Sequence, residues 1–120
     1  MAADSYDVTI DQGADWLWTV RWLVGKNRRS ATPKDVTGYH AVLVIARDYN
    51  DATPLLMLTD SNGGVTIVPD EGAFGFRATA VQTDSLPVGK RLKYEVRVTS
   101  PDTIVKRLAY GYVTVKPSVT

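Results

Sequence analysis

The sequence predicts an all-β fold: a single antiparallel β-sandwich domain of the Ig-like or Greek-key type, with about 7–9 strands. Three observations predict it. Apolar residues recur with a period of two along most of the chain. Turn-forming residues interrupt that alternation every 8 to 12 residues or so, the spacing of sandwiches and barrels. No segment carries a 3.6-residue apolar period. The 120 residues suit one domain, residues 1–120, with loose ends over about residues 1–5 and 117–120.

Each element follows from this alternation. Tyr6, Val8 and Ile10 alternate with Asp7, Thr9 and Asp11, and Gln12-Gly13-Ala14-Asp15 turns the chain. Trp16, Trp18, Val20, Trp22 and Val24 then share one strand face, while Leu17, Thr19, Arg21 and Leu23 share the other. Gly25 to Asp35 reads as a loop, and Asp35-Val36-Thr37-Gly38 as a turn. Tyr39 to Arg47 is apolar on both faces, as in a central, well-covered strand. After the polar tip Asp48-Tyr49-Asn50-Asp51, a short strand spans Leu55 to Thr59. Asn62-Gly63 then marks a turn whose residues tolerate positive φ. Val65 to Val68 resumes the strand, and Phe74, Phe76, Ala78 and Ala80 alternate on the next. Val81 to Leu86 loses strand periodicity and predicts one helical turn, closed by Pro87 and Gly89. Leu92, Tyr94, Val96 and Val98 form the cleanest amphipathic strand, alternating with Arg91, Lys93, Glu95, Arg97 and Thr99. Ser100-Pro101-Asp102 is a hairpin tip. The last strand runs from about Ile104 to Val115, and a phase change in it predicts a β-bulge at or beside Gly111.

Composition excludes several function classes. Fourteen basic and thirteen acidic residues leave a net charge of +1, without the concentrated basic surface of a nucleic-acid binder. The absence of cysteine excludes disulfides, thiolate catalysis and cysteine-ligated metals. The N-terminal residues lack the basic and apolar regions of a signal peptide, and no apolar run approaches a membrane span. Catalysis has few parts to draw on. His40 is the only histidine, and it reads as a structural or surface residue. Asp7 and Asp11 share a strand face but lie about 13 Å apart, too far to hold one metal, and they read as solvent-facing. No phosphate loop, dinucleotide fingerprint or nucleophile elbow is present. The sequence therefore predicts no enzyme, no cofactor and no metal site.

Binding surfaces are the better candidates. The tryptophan row would make a stacking platform if exposed, but its alternation places it in the core. Leu17 and Leu23 add apolar surface outside that core, with Arg21 between them. The basic loop offers Lys26, Arg28 and Arg29, and further aromatic contacts come from Tyr49, Tyr110 and Tyr112. These nine residues form the candidate interface. Edge strands of a small sandwich also invite pairing with a neighbouring chain.

The order of short motifs carries a resemblance. Asp7-Val8-Thr9-Ile10-Asp11-Gln12-Gly13 opens the chain, and Asp35-Val36-Thr37-Gly38-Tyr39 leads into the apolar strand. Leu58-Thr59 and Gly63-Gly64-Val65-Thr66-Ile67 form the middle. Leu86-Pro87-Val88-Gly89, Tyr94-Glu95-Val96 and Gly111-Tyr112-Val113-Thr114-Val115 follow. From about Tyr6 to Pro117 this resembles small β-sandwich virion proteins of tailed bacteriophages and prophages, including the N-terminal domain of upper baseplate proteins. The resemblance implies a non-enzymatic assembly subunit of the tail tip, baseplate or head–tail region. Such a subunit is present in several copies in the virion, contacts other virion proteins and is assembled in the host cytoplasm. The alternative is a carbohydrate-binding or adhesion module, which would use an aromatic strand face and Tyr39, Tyr49, Tyr110 and Tyr112.

Overall fold

A computed structural model describes residues 4–25, 31–48, 53–88 and 91–117, with backbone alone at residues 4 and 5. The all-β prediction holds. The strands are β1 (Asp4–Ser5), β2 (Val8–Asp11), β3 (Trp16–Arg21), β4 (Leu23–Val24), β5 (Thr32–Pro33), β6 (His40–Ala46), β7 (Leu56–Thr59), β8 (Val65–Val68), β9 (Ala73–Ala78), β10 (Arg91–Thr99) and β11 (Val105–Lys116). Among the described residues the one α-helix is α1 (Ala80–Asp84), which overlaps the helical turn predicted for Val81 to Leu86 and takes in Ala80, expected on the preceding strand. The large sheet has the order β1-β11-β10-β6-β7, with β2 also on β11. A second sheet has the order β3-β9-β8, and β4 pairs with β5 alone.

The two larger sheets share one core. Leu43, Ile45, Tyr94, Val96 and Val113 enter it from the large sheet, and Val65, Phe74 and Phe76 from the small one. Burying a side chain of this kind contributes about 1.5–3 kcal/mol. Period-two alternation puts these residues inward: along β10, Leu92, Tyr94, Val96 and Val98 are all buried. The central position expected for the doubly apolar strand is also observed, since β6 lies between β10 and β7.

The chain changes sheet repeatedly, and side chains pin two of these corners. Between β7 and β8, Asn62 Oδ1 accepts from the Thr59 and Gly64 amides, both at 2.9 Å, and its Nδ2 donates to the Met57 carbonyl at 3.0 Å. Gly63 alone there takes a positive φ, of 83°. The predicted Asn-Gly turn is thus a corner held by the Asn62 side chain, and the strands it joins lie in different sheets. Between β9 and β10, Thr79 and Gln82 form a reciprocal capping box on α1. Buried Thr83 ties α1 to the β2–β3 turn: its hydroxyl accepts from the Gly13 amide at 3.1 Å and donates to the Ala14 carbonyl at 2.8 Å.

Two expectations are corrected. Trp16 to Val24 is not one strand. The Trp22 amide donates to the Gly72 carbonyl and its carbonyl accepts from the Lys34 amide, so β3 ends at Arg21. Trp22 is buried, but Val24 is exposed on β4. The β-bulge is at Leu108, not at Gly111: Val96 faces Ala109 and Arg97 faces Arg107, leaving Leu108 as the extra residue. Leu108 and Ala109 are consequently both buried, which is the phase change.

Gly111 serves a different purpose. β1 and β2 run parallel to β11 in one register, from Asp4↔Ala109 to Asp11↔Lys116, interrupted at Tyr6 and Asp7. At that break the Tyr6 amide donates to the Tyr110 carbonyl at 3.0 Å, and the Tyr6 carbonyl accepts from the Tyr94 hydroxyl at 2.6 Å. Asp7 Oδ1 accepts from the Tyr112 amide at 3.1 Å. Asp7 is therefore exposed, as expected, yet it stands in for a missing strand acceptor. A Cβ on Gly111 would collide with the Tyr6 carbonyl. Parallel pairing makes the large sheet mixed within an otherwise antiparallel fold.

Gly111→Ala is expected to cost about 1–3 kcal/mol, the range of core overpacking, and Tyr94→Phe about 1–2 kcal/mol through loss of the Tyr6 hydrogen bond. Urea unfolding measures both. Before β6, the Thr37 hydroxyl and amide both donate to Asp35 Oδ1, at 2.6 and 3.0 Å. These bonds, side chain first, hold the Asp35 carboxyl below its ordinary pKa of 3.8, with help from the Lys34 charge. A carboxylate with a lowered folded pKa stabilises the fold above its unfolded pKa, and that contribution is lost as pH falls through the folded value. Asp35→Asn should therefore flatten the stability–pH curve below about pH 4, read from chemical denaturation across the acid range.

Candidate functional site

Burial alternation sorts the exposed residues onto three surfaces. The first is a groove between two sheet edges. β3 pairs only with β9, and the β1–β2 strand pairs only with β11, so each presents a backbone edge with no strand partner among the described residues. Tyr6, Asp7 and Val8 line one side of the groove, and Trp18, Thr19, Val20 and Arg21 the other, with Leu108 between them. The cavity measures about 370 Å³. Trp18 is anchored from the core side by edge-on contact with Tyr94, with ring centroids 5.4 Å apart. Arg21 and Asp7 give the groove one charge of each sign.

The second set of exposed residues is on β3 and β4. Leu17 is 72% exposed, and Leu23 and Val24 on β4 are each close to half exposed. Arg21 shares the outward face of β3 with Leu17. Leu17 pairs across the sheet with Arg77, whose guanidinium reaches Asp15 at 3.4 Å.

The third surface is the outward face of the large sheet. Arg91, Lys93, Glu95 and Arg97 point outward from β10, opposite Thr114, Tyr112, Tyr110 and Arg107 of β11. The Arg91 guanidinium lies 4.2 Å from the Tyr112 ring centroid, and that of Arg107 lies 4.4 Å from the Tyr110 centroid. Glu95 takes Arg97 at 3.2 Å and Arg107 at 4.0 Å. Lys93 reaches Asp48 at 3.8 Å. A dip of about 190 Å³ lies beside this ribbon, lined in part by Val44, Ala46 and Met57.

The candidate interface residues are therefore split. Leu17 and Arg21 belong to β3 of the second sheet, Leu23 to the separate β4–β5 pair, and Tyr110 and Tyr112 to the outer face of the large sheet. Lys26, Arg28, Arg29 and Tyr49 lie outside the described residues, as do Asn50 and Asp51 of the polar tip. Sequence reasoning missed Arg91, Lys93, Arg97 and Arg107, although their alternation with Leu92, Tyr94 and Val96 already placed the first three on an outward face. Arg107 was hidden by the bulge, which sets its side.

The tryptophan row is divided as well. Trp16 and Trp18 pack half-buried against the core, and Trp22 is 4% exposed. The Trp22 ring meets Tyr39 edge-on at 5.9 Å, with the Lys34 ammonium 5.1 Å from its centroid. No protein acceptor reaches its buried Nε1 among the described residues, so Trp22 holds its place by packing. His40 is at the surface, its Nδ1 2.6 Å from Asp60 Oδ2. Among the described residues no group of three or more His, Asp or Glu is placed to hold a metal ion, and no helix is long and apolar enough to cross a membrane. The sequence matches no protein-family model and no curated protein.

Single-tryptophan variants should separate these environments. A protein retaining only Trp22 is expected to be quenched by acrylamide several-fold less than one retaining only Trp16, as measured by Stern–Volmer fluorescence titration.

Proposed function

We propose that the protein is a structural subunit of a tailed-bacteriophage virion, placed in the tail tip, baseplate or head–tail region and acting through protein–protein contacts. The observation that carries this reading is the edge groove. Two backbone edges flank it, and a free edge is a template for pairing with another chain. Leu17, Leu23 and Val24 are further apolar side chains left exposed. Edges with no further strand partner among the described residues, together with exposed apolar groups, suit a subunit that completes its burial inside an assembly. The motif order that resembles phage virion proteins points the same way.

On this reading the protein is not an enzyme. It works in several copies beside other virion proteins, inside particles assembled in the host cytoplasm. Its interfaces bury more than about 1,000 Å². The carbohydrate-binding alternative needs aromatic faces open in one plane. Trp16 and Trp18 are half-buried with their rings tilted by 31°, Trp22 is inside, and guanidiniums cover Tyr110 and Tyr112.

Mass spectrometry of purified particles should detect the protein as a stoichiometric component. A Leu17→Glu, Leu23→Glu double variant should enter particles at least tenfold less, a loss of about 1.4 kcal/mol or more, with an unchanged melting temperature. Absence of the protein from particles overturns the reading.

A further inference from the structure

We infer that the outward β10–β11 face is a docking surface for an extended acidic segment of a partner protein. The inference deepens the assembly reading, because it states the chemistry of one contact.

The first support is charge. Arg91, Lys93, Arg97 and Arg107 share this ribbon, and the carboxylates that reach them are Glu95 and Asp48. Four cations against two carboxylates leave the ribbon with an excess of two positive charges, against +1 for the whole chain. Arg97 and Arg107 are direct cross-strand neighbours, an arrangement that is destabilising for like charges. Glu95 touches both, and its side chain is only 20% exposed. One half-buried carboxylate therefore holds two guanidiniums in place and leaves excess positive charge facing outward.

The second support is preorganisation. Arg91 and Arg107 lie over tyrosine rings, which limits their rotamers while the edges of their guanidiniums remain able to fork a carboxylate. From Arg91 to Arg97 the strand rises about 20 Å, with outward side chains about 6.8 Å apart. An extended chain with acidic side chains at alternate positions has the same spacing. The dip lined by Val44, Ala46 and Met57 lies alongside, and it can take an apolar side chain of the same segment.

The arrangement disfavours nucleic acid as occupant. Stacking of bases needs open aromatic faces, and the guanidiniums already occupy these two rings.

The test is fluorescence anisotropy with the full chain and three labelled probes: a dodecapeptide of alternating Glu and Thr, its Lys–Thr counterpart, and a thymidine dodecanucleotide. The Glu–Thr probe should bind, and its affinity should fall as salt rises. Arg91→Glu with Arg107→Glu should weaken that binding at least tenfold, and Arg107→Gln alone by a smaller factor, with circular-dichroism melts unchanged. Three outcomes overturn the inference: no binding of the Glu–Thr probe, equal or tighter binding of either other probe, or undiminished binding by the folded variants. Particle composition reports on the assembly reading separately, so failure of either leaves the other standing.

Discussion

The fold depends on one close approach, that of Gly111 to the Tyr6 carbonyl. β11 must carry β10 on one side and the N-terminal strand on the other. The second pairing holds its register across a break only because no side chain stands at Gly111. The Tyr94 hydroxyl then closes the gap from the core side, and the Asp7 carboxylate closes it from outside. This junction sets the position of the β2 edge, and hence the groove facing β3. It also fixes the outward direction of Tyr110 and Tyr112, which flank Gly111 in sequence.

Interior and exterior of the large sheet obey different physics. Inside, alternate residues of β6 and β10 fill a shared core with the small sheet, and the gain follows from area removed from water. Outside, Val42 and Val44 of β6 are only half-buried, between Thr59 and Met57 of β7 on one side and the long charged side chains of Arg97 and Glu95 of β10 on the other. Such side chains cover apolar surface with their stems while keeping their charges in water. The outer face is thus neither bare nor neutral.

Local chemistry was legible in the sequence, and long-range partnership was not. Alternation at Leu92, Tyr94, Val96 and Val98 found β10 and its buried side without error. The doubly apolar run at β6 correctly implied a central strand. The failures share a cause. Trp22 continues the period of its neighbours, but its backbone bonds to Gly72 and Lys34, which are distant in sequence. Gly111 drew the bulge prediction because glycine often marks bulges, while the consecutive buried pair Leu108–Ala109 was the true signal. Contacts such as Thr83 with Gly13 depend on which elements meet. For the candidate site, exposure of Leu17 and Tyr112 followed from alternation, but their separation onto different sheets required the topology. The Arg91–Arg97 row was visible as the polar face of an amphipathic strand, but its tyrosine and Arg107 neighbours come from pairing across strands.

The parallel seating of the N-terminal strand has a consequence for how the molecule is made. The bond from the Tyr112 amide to Asp7 spans 105 positions of sequence. During synthesis β2 emerges well before its sheet partner β11, so loop-closure entropy must be met before this pairing is rewarded. Until then Val8 and Ile10 lack the neighbours that bury them. The antiparallel pairings of β6 with β7 and of β8 with β9 join residues close in sequence and can form earlier. Completion of the large sheet thus waits on the emergence of β11, and the β1–β2 segment passes through an interval in which it is open to mispairing.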